Sequence, residues 1–253
     1  MNGNHEFASF ARLIESLRPW LDQVVIVGGW AHRLYRLHAF AQPLRYEPLA
    51  TLDADIALPP RFKVTGDEIY QRLASNGFEA EFLGHHKPPA AHYRLIDPGI
   101  EFYAEFVAPL AGSTVTRRGR SKATQSVGGI SSQNLRYVEV LLARPWSVTL
   151  STSTGFPLAD DTRAQIANPA SFLVQKILIH GRRNRDERPV LHVNSVRTIQ
   201  RAAASGVVAD PIRTTSRIVL GRLLPPEARL VQIARSGAPQ AHVKLKAPSS
   251  EIA

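Results

Sequence analysis

The chain of 253 residues contains no cysteine. Disulfides, thiolate nucleophiles and cysteine-based zinc sites are therefore excluded. Such a chain suits a reducing compartment, and a cytoplasmic location is expected. No stretch approaches the roughly 18 apolar residues that span a bilayer, so no membrane segment is expected. The opening MNGNHEFASFARLIESL lacks a basic start followed by a long apolar run, and no signal peptide is expected. Acidic residues are scarce: Asp+Glu 21 stand against Lys+Arg 31, a formal net charge of +10. That field attracts polyanions such as RNA, DNA or nucleotide phosphates, or an acidic protein partner. A generally basic surface gives the same count, so placement has to decide. No internal repeat is present.

With 44% hydrophobic residues the chain can bury a core. FASFARLIESLRPW spaces Phe7, Phe10, Ala11, Ile14 and Leu17 as an amphipathic helix does. QVVIV is a short apolar strand ending at Gly28-Gly29, after which WAHRLYRLHAF resumes a helical pattern. TLDADIAL reads as the next strand, and GDEIYQRLASNGF as a helix stopped by Asn76-Gly77. AHYRLI and GIEFYAEFVAPL are two further strands around the turn Asp97 to Gly99. Residues 112–133 turn to Gly, Ser, Thr and Arg, and a long basic loop is expected there. LRYVEVLLARPWSVTL returns to order of either type. Asp160 and Asp161 are expected to cap a helix or turn at Thr162. Asn168-Pro169 opens a helix, and helical spacing continues to about residue 236. The expected fold class is α+β: a mixed strand–helix domain over 1–150, a mainly helical domain over 151–237 and a frayed tail over 238–253.

Chemistry concentrates in TLDADIAL. Side chains two apart on a strand share a face, so Asp53 and Asp55 lie side by side on an otherwise apolar element. Two ionised carboxylates repel, and burying either is costly unless something compensates. A divalent cation does so, and Mg²⁺ takes hard oxygen ligands from one or two carboxylates plus substrate phosphates. In GIEFYAEFVAPL, Glu101, Tyr103 and Glu105 share one face. Were that strand to lie beside the first, a glutamate would supply a third carboxylate, enough to hold two metal ions for phosphoryl transfer. Gly28-Gly29, at a strand-to-helix turn, lets backbone N–H groups approach a triphosphate closely.

VVIVGGWAHRLY, then TLDADIAL, then AEFVAPLAG resembles the nucleotidyltransferase fold of the DNA polymerase β superfamily. The Gly-Gly turn, the Thr two residues before the first Asp, and the acidic-Phe-x-x-Pro-Leu strand resemble proteins around the AbiEii and MenT toxins. Those belong to toxin–antitoxin systems, and some transfer nucleotides to tRNA. NPASFLVQKILIHGRR also resembles their helix carrying a Lys before an Arg-rich stretch. The resemblance covers roughly residues 23 to 190. It implies Gly28, Gly29, Thr51 and Lys176 as nucleotide contacts, and Asp53, Asp55 and Glu105 as catalytic metal ligands holding Mg²⁺. Glu105 rather than Glu101 is the third ligand because it carries the EFVAPL match. The implied reaction moves an NMP from an NTP to an acceptor hydroxyl, with an antitoxin protein as an implied partner.

Alternatives stand beside each feature. A tight turn also explains Gly-Gly, exposed edge strands also carry Asp-x-Asp, and Lys176 fits a solvated helix face. The adjacent His85 and His86 cannot easily face one ion and read as loop residues. The family's Lys-Asp pair after the Arg-rich stretch is missing: the region reads RNRDERPVLHVNS, and the expected Asp falls at Pro189. Either Asp186 takes that role or the role is absent. AFAQPLRYEPLA is an insertion between Gly29 and Asp53. Arg117, Arg118, Arg120 and Lys122, with Arg182, Arg183 and Arg185, are the nucleic-acid candidates, since clustered charge suits phosphate contacts. The leading acceptor is RNA, tRNA among them. The other readings are a protein or small-molecule hydroxyl as acceptor, or a non-catalytic nucleotide- or RNA-binding protein that keeps the fold. A cationic aminoglycoside acceptor fits the basic balance poorly.

Overall fold

The computed structural model describes residues 3–41, 51–64, 66–85, 87–117, 119 and 121–180. Helix α1 (Gly3–Leu17) buries Phe10, Leu13, Ile14 and Leu17, the stripe that its spacing predicts. Pro19 follows within a single 3₁₀ turn, Arg18–Trp20. Strand β1 (Val25–Val27) is apolar and buried at every residue, and it feeds straight into α2 (Gly28–Leu34). Strand β2 (Asp53–Ala57) and helix α3 (Ile69–Ser75) follow, the helix closed at its start by a reciprocal Glu68–Gln71 capping box. Then come β3 (Phe78–Leu83), β4 (Ala90–Leu95), β5 (Tyr103–Pro109), β6 (Thr124–Val127) and β7 (Ile130–Leu135). Helix α4 (Val138–Leu141), β8 (Trp146–Leu150), β9 (Thr162–Ile166) and α5 (Pro169–His180) complete the described order.

The nine strands form one mixed sheet in the order β3-β4-β5-β2-β1-β9-β8. β7 joins the second half of β5, and β6 pairs with β7. The pairs β2–β5, β1–β9 and β5–β7 are parallel, and the others antiparallel. Period-2 alternation sends Ala54, Ile56, Ala104 and Phe106 to one face, where they pack with α1, α2 and α3 in the main core. Trp30 stacks on Phe10 there, ring centroids 3.9 Å apart. The opposite face carries a smaller core of Val25, Val27, Ala57, Val107 and Ala167, covered by Val138 and Leu141 of α4 and Phe172 of α5. A mixed sheet flanked by helices is the architecture expected of an α+β chain.

Three stretches differ from the sequence reading. The expected loop over 112–133 keeps irregular backbone only in its first part, since Thr124–Val127 and Ile130–Leu135 pair as a hairpin. Their side chains are mostly polar, because buried Ser131 is satisfied by the Pro89 carbonyl and its N–H by the Tyr93 hydroxyl at 2.7 Å. Thr162 begins a strand, not a helix, and its hydroxyl donates to the Asp160 carbonyl at 3.0 Å. The sheet also runs on past residue 150, since β9 pairs with both β1 and β8. The helical pattern from 181 onward, the tail, all but the first three residues of the insertion over 39–50, and Asp186 lie outside the described residues.

Asn168 anchors α5. Its side-chain oxygen accepts the Ser171 N–H at 2.8 Å, and its amide donates to the Ala143 and Arg144 carbonyls at 2.9 and 2.8 Å. Asn168 is 1% exposed, and the Ser171 hydroxyl donates to the Ala143 carbonyl beside it at 3.1 Å. Asn168→Ala removes the cap of α5 and the amide that ties it to the Ala143 and Arg144 carbonyls. It is expected to cost about 2 kcal/mol or more in urea unfolding; a loss under about 0.5 kcal/mol would show that water replaces the amide.

Candidate active site

The β2–β5 pairing brings the carboxylates together. The parallel register sets Asp53 beside Tyr103 and Asp55 beside Glu105. Glu101, by contrast, lies outside β5 on the exposed turn before it. Asp53, Asp55, Tyr103 and Glu105 are all half-buried, on the face that α4 and α5 cover further along.

The Gly-Gly turn closes on this row from β1. Val27 is paired with Asp55, so Gly28 emerges against that carboxylate. A Cβ on Gly28 would lie 2.1 Å from Asp55 Oδ2, and Gly28 holds φ at +64°. A Cβ on Gly29 would lie 2.4 Å from Thr51 Cγ2 and 2.5 Å from its hydroxyl. Both glycines are thus demanded by close approach, the first also by backbone conformation. Thr51 further donates its hydroxyl to the Asp53 carbonyl at 3.3 Å.

Glu105 is held from its other side. His92 Nε2 on β4 lies 2.7 Å from Oε1, and Gln133 Nε2 on β7 donates to Oε2 at 3.2 Å. The His92 ring stacks on Tyr103 with centroids 4.5 Å apart and planes 14° from parallel. Burial pushes the Glu105 carboxyl up, and the neighbouring Asp53 charge adds to this, while His92 and Gln133 pull the other way. Burial wins although His92 is close. The Tyr103 hydroxyl is also pushed up, by burial first and then by Asp53, Glu105 and Asp55. One phenol therefore feels all three carboxylates.

The raised Glu105 carboxyl sets a pH dependence. The fold binds that proton more tightly than the unfolded chain does. The resulting stabilisation is complete below the ordinary carboxylate range and is lost as pH rises above it, through the raised value of the folded protein. Melting in EDTA from about pH 4.5 to 7.5 is expected to show this loss in the parent and not in Glu105→Gln. Parallel curves for the two proteins would exclude Glu105 as its source.

His92 and Gln133 carry no motif of their own, and sequence reasoning missed them. Alternation in AHYRLI places His92 on the same face as Arg94, but only strand order reveals that this face adjoins Glu105. Lys176 sits on α5 with Nζ 4.8 Å from the centre of the Phe172 ring. Phe172 packs against Ala57 and Val107, so α5 covers the carboxylate-bearing side of the sheet. Arg117 is exposed, while Lys122 is half-buried and its backbone is bonded to Thr114 and Asn134. Arg118, Arg120, Arg182, Arg183 and Arg185 lie outside the described residues.

The donor set suits a hard cation: three carboxylates, no sulfur, and a Cβ-free turn beside them. Among the described residues no three acidic or histidine side chains close into a ready-made cage. Glu105 in particular is bonded to its two strand neighbours.

A strand-to-helix Gly-Gly turn set against an Asp-x-Asp strand, with an acidic residue in register beside it, is the arrangement of a phosphoryl-transfer protein. Residues 5–204 match the model of a nucleotidyltransferase family, and the chain belongs to that family. No curated protein matches it. Among the described residues no helix is long and apolar enough to cross a membrane.

Proposed function

We propose that the chain is a Mg²⁺-dependent nucleotidyltransferase that moves an NMP from an NTP to a hydroxyl of RNA, with tRNA the leading acceptor. The observation that carries this reading is the register of Asp55 with Glu105 beside a Gly28-Gly29 turn that no side chain can enter. The acceptor oxygen attacks the α-phosphorus. The new P–O bond forms as the bond to the β-phosphate breaks, and pyrophosphate leaves. Asp53, Asp55 and Glu105 would hold Mg²⁺, which when bound would supply charge neutralisation at the reacting phosphate. Gly28 and Gly29 admit the triphosphate against the sheet, Thr51 fixes the turn, and Lys176 reaches the nucleotide from α5. The net charge of +10 supports a polyanionic acceptor, with Arg117, Lys122 and the remaining arginines of both clusters as phosphate contacts. By resemblance to AbiEii- and MenT-like proteins, the setting is a cytoplasmic toxin paired with an antitoxin.

A non-catalytic nucleotide- or RNA-binding protein is the second reading. The missing Lys-Asp pair, with Pro189 in its place, favours it. Incubation with each α-³²P-labelled NTP, Mg²⁺ and total tRNA separates the two. Label in RNA that disappears in Asp53→Asn supports the transferase and names its nucleotide. Label on protein redirects the acceptor to a protein hydroxyl. RNA retention by the Asp53→Asn variant, with no label on RNA or protein from the parent, supports the binder.

A further inference from the structure

We infer that His92 is a positioning residue that, with Gln133, holds the Glu105 carboxylate in place for a divalent cation. The inference rests on the proposed metal role of Glu105 and goes beyond it.

One side of β5 is paired with β2 from Tyr103 to Val107, but the other changes partner partway. β4 pairs with its first half, at Tyr103 and Ala104, and β7 with its second, from Val107 to Pro109. Glu105 stands where the partner changes. Two different strands therefore each deliver one side chain to it: His92 from β4 to Oε1 at 2.7 Å and Gln133 from β7 to Oε2 at 3.2 Å. The junction itself is fixed, since the Tyr93 hydroxyl of β4 accepts the Ser131 N–H of β7 at 2.7 Å. The His92 ring is in turn fixed by stacking on Tyr103.

A free glutamate is among the most mobile side chains, and ordering it costs about 1.5–2 kcal/mol. With each oxygen bonded once, that ordering precedes the arrival of any ligand. Each carboxylate oxygen keeps a second lone pair, so the two bonds leave capacity for a cation. Hydrogen-bonded partners of ligating carboxylates usually matter about 10–100-fold for metal affinity. His92 is suited to this task because its donor sits at the end of a rigid ring; Gln carries a donor at comparable reach on a flexible stem.

The test is Mn²⁺ binding followed by electron paramagnetic resonance, on the full chain, with Mn²⁺ alone as the probe. His92→Leu is expected to weaken Mn²⁺ binding about 10–100-fold with an unchanged circular dichroism spectrum. His92→Gln, which restores an N–H donor, is expected to recover most of that loss, which a merely structural role would not produce. Gln133→Leu is the second variant, needed if His92→Leu fails to fold, and is expected to show a smaller loss in the same direction. Parent-like affinity in His92→Leu or, should that variant not fold, in Gln133→Leu, together with weakened binding in Asp55→Asn, would overturn the positioning role alone. Parent-like affinity in Asp55→Asn would instead remove the metal reading beneath it.

Discussion

Asp55→Asn is expected to fold with a melting temperature at or above that of the parent, and to transfer nucleotide at least about a thousandfold more slowly. The two halves of this result have one origin. Asp55 lies in register with Glu105 and near Asp53, so in metal-free protein its charge adds to a repulsive group. Asparagine keeps the shape and removes the charge, which relieves the fold. In the proposed reaction the same charge would hold a cation against a developing oxyanion, and a thousandfold loss corresponds to about 4 kcal/mol of transition-state stabilisation. Single-turnover transfer from the labelled NTP, with melting in parallel, measures both. Activity within about tenfold of the parent would take Asp55 out of the reaction. A lower melting temperature would make its carboxylate a structural group.

Gly28→Ala is expected to be the most damaging single methyl among the described glycines. Its Cβ would lie 2.1 Å from Asp55 Oδ2, far inside van der Waals contact, at a φ of +64° that L side chains adopt with strain. A loss of about 2–4 kcal/mol and of all measurable transfer is expected. Gly155→Ala provides the comparison, since Gly155 holds φ +92° with nothing within 4 Å of a built Cβ. Its cost is conformational alone, about 1 kcal/mol. The double variant Gly28→Ala/Asp55→Ala removes the colliding atoms. It should recover stability with a coupling of about 1 kcal/mol or more while staying inactive. Purely additive losses would mean that the turn, and not the carboxylate, rejects the methyl.

The parts of the structure that were legible in the sequence carry one-face alternation or an explicit stop signal. The α1 stripe, the Asp-x-Asp strand, the Asn76-Gly77 helix end and the Asn168-Pro169 start all appear where the pattern sets them. The strands that escaped notice have weak local signals. β6 and β7 read TQSV and ISSQNL, polar runs without apolar alternation, although Ile130, Ser131 and Ser132 are buried. β9 buries Thr162, Ala164 and Ile166 but exposes Arg163, and the two aspartates before it read as a cap. Of the candidate site, the ligand types and the Gly-Gly turn were readable because they are local. His92 and Gln133 were not, because their role exists only through strand order, which brings them to Glu105 from 13 and 28 residues away in the sequence.

The covering helices end the dry part of the sheet abruptly. Ala57 and Val107 lie under Phe172, whereas Asp55 and Glu105, two positions earlier, open toward water. A dielectric boundary thus crosses the sheet just behind the carboxylates. Field lines from the acidic row are not diluted on that side, so attraction for a small cation is only partly screened by salt. Exposed Arg117 has no such backing, and a polyanion bound there in the proposed reaction would be released steeply as counterions compete. Raising ionic strength should therefore strip nucleic acid from the protein while cation and nucleotide remain. Equal salt slopes for the two would show that water reaches behind the row.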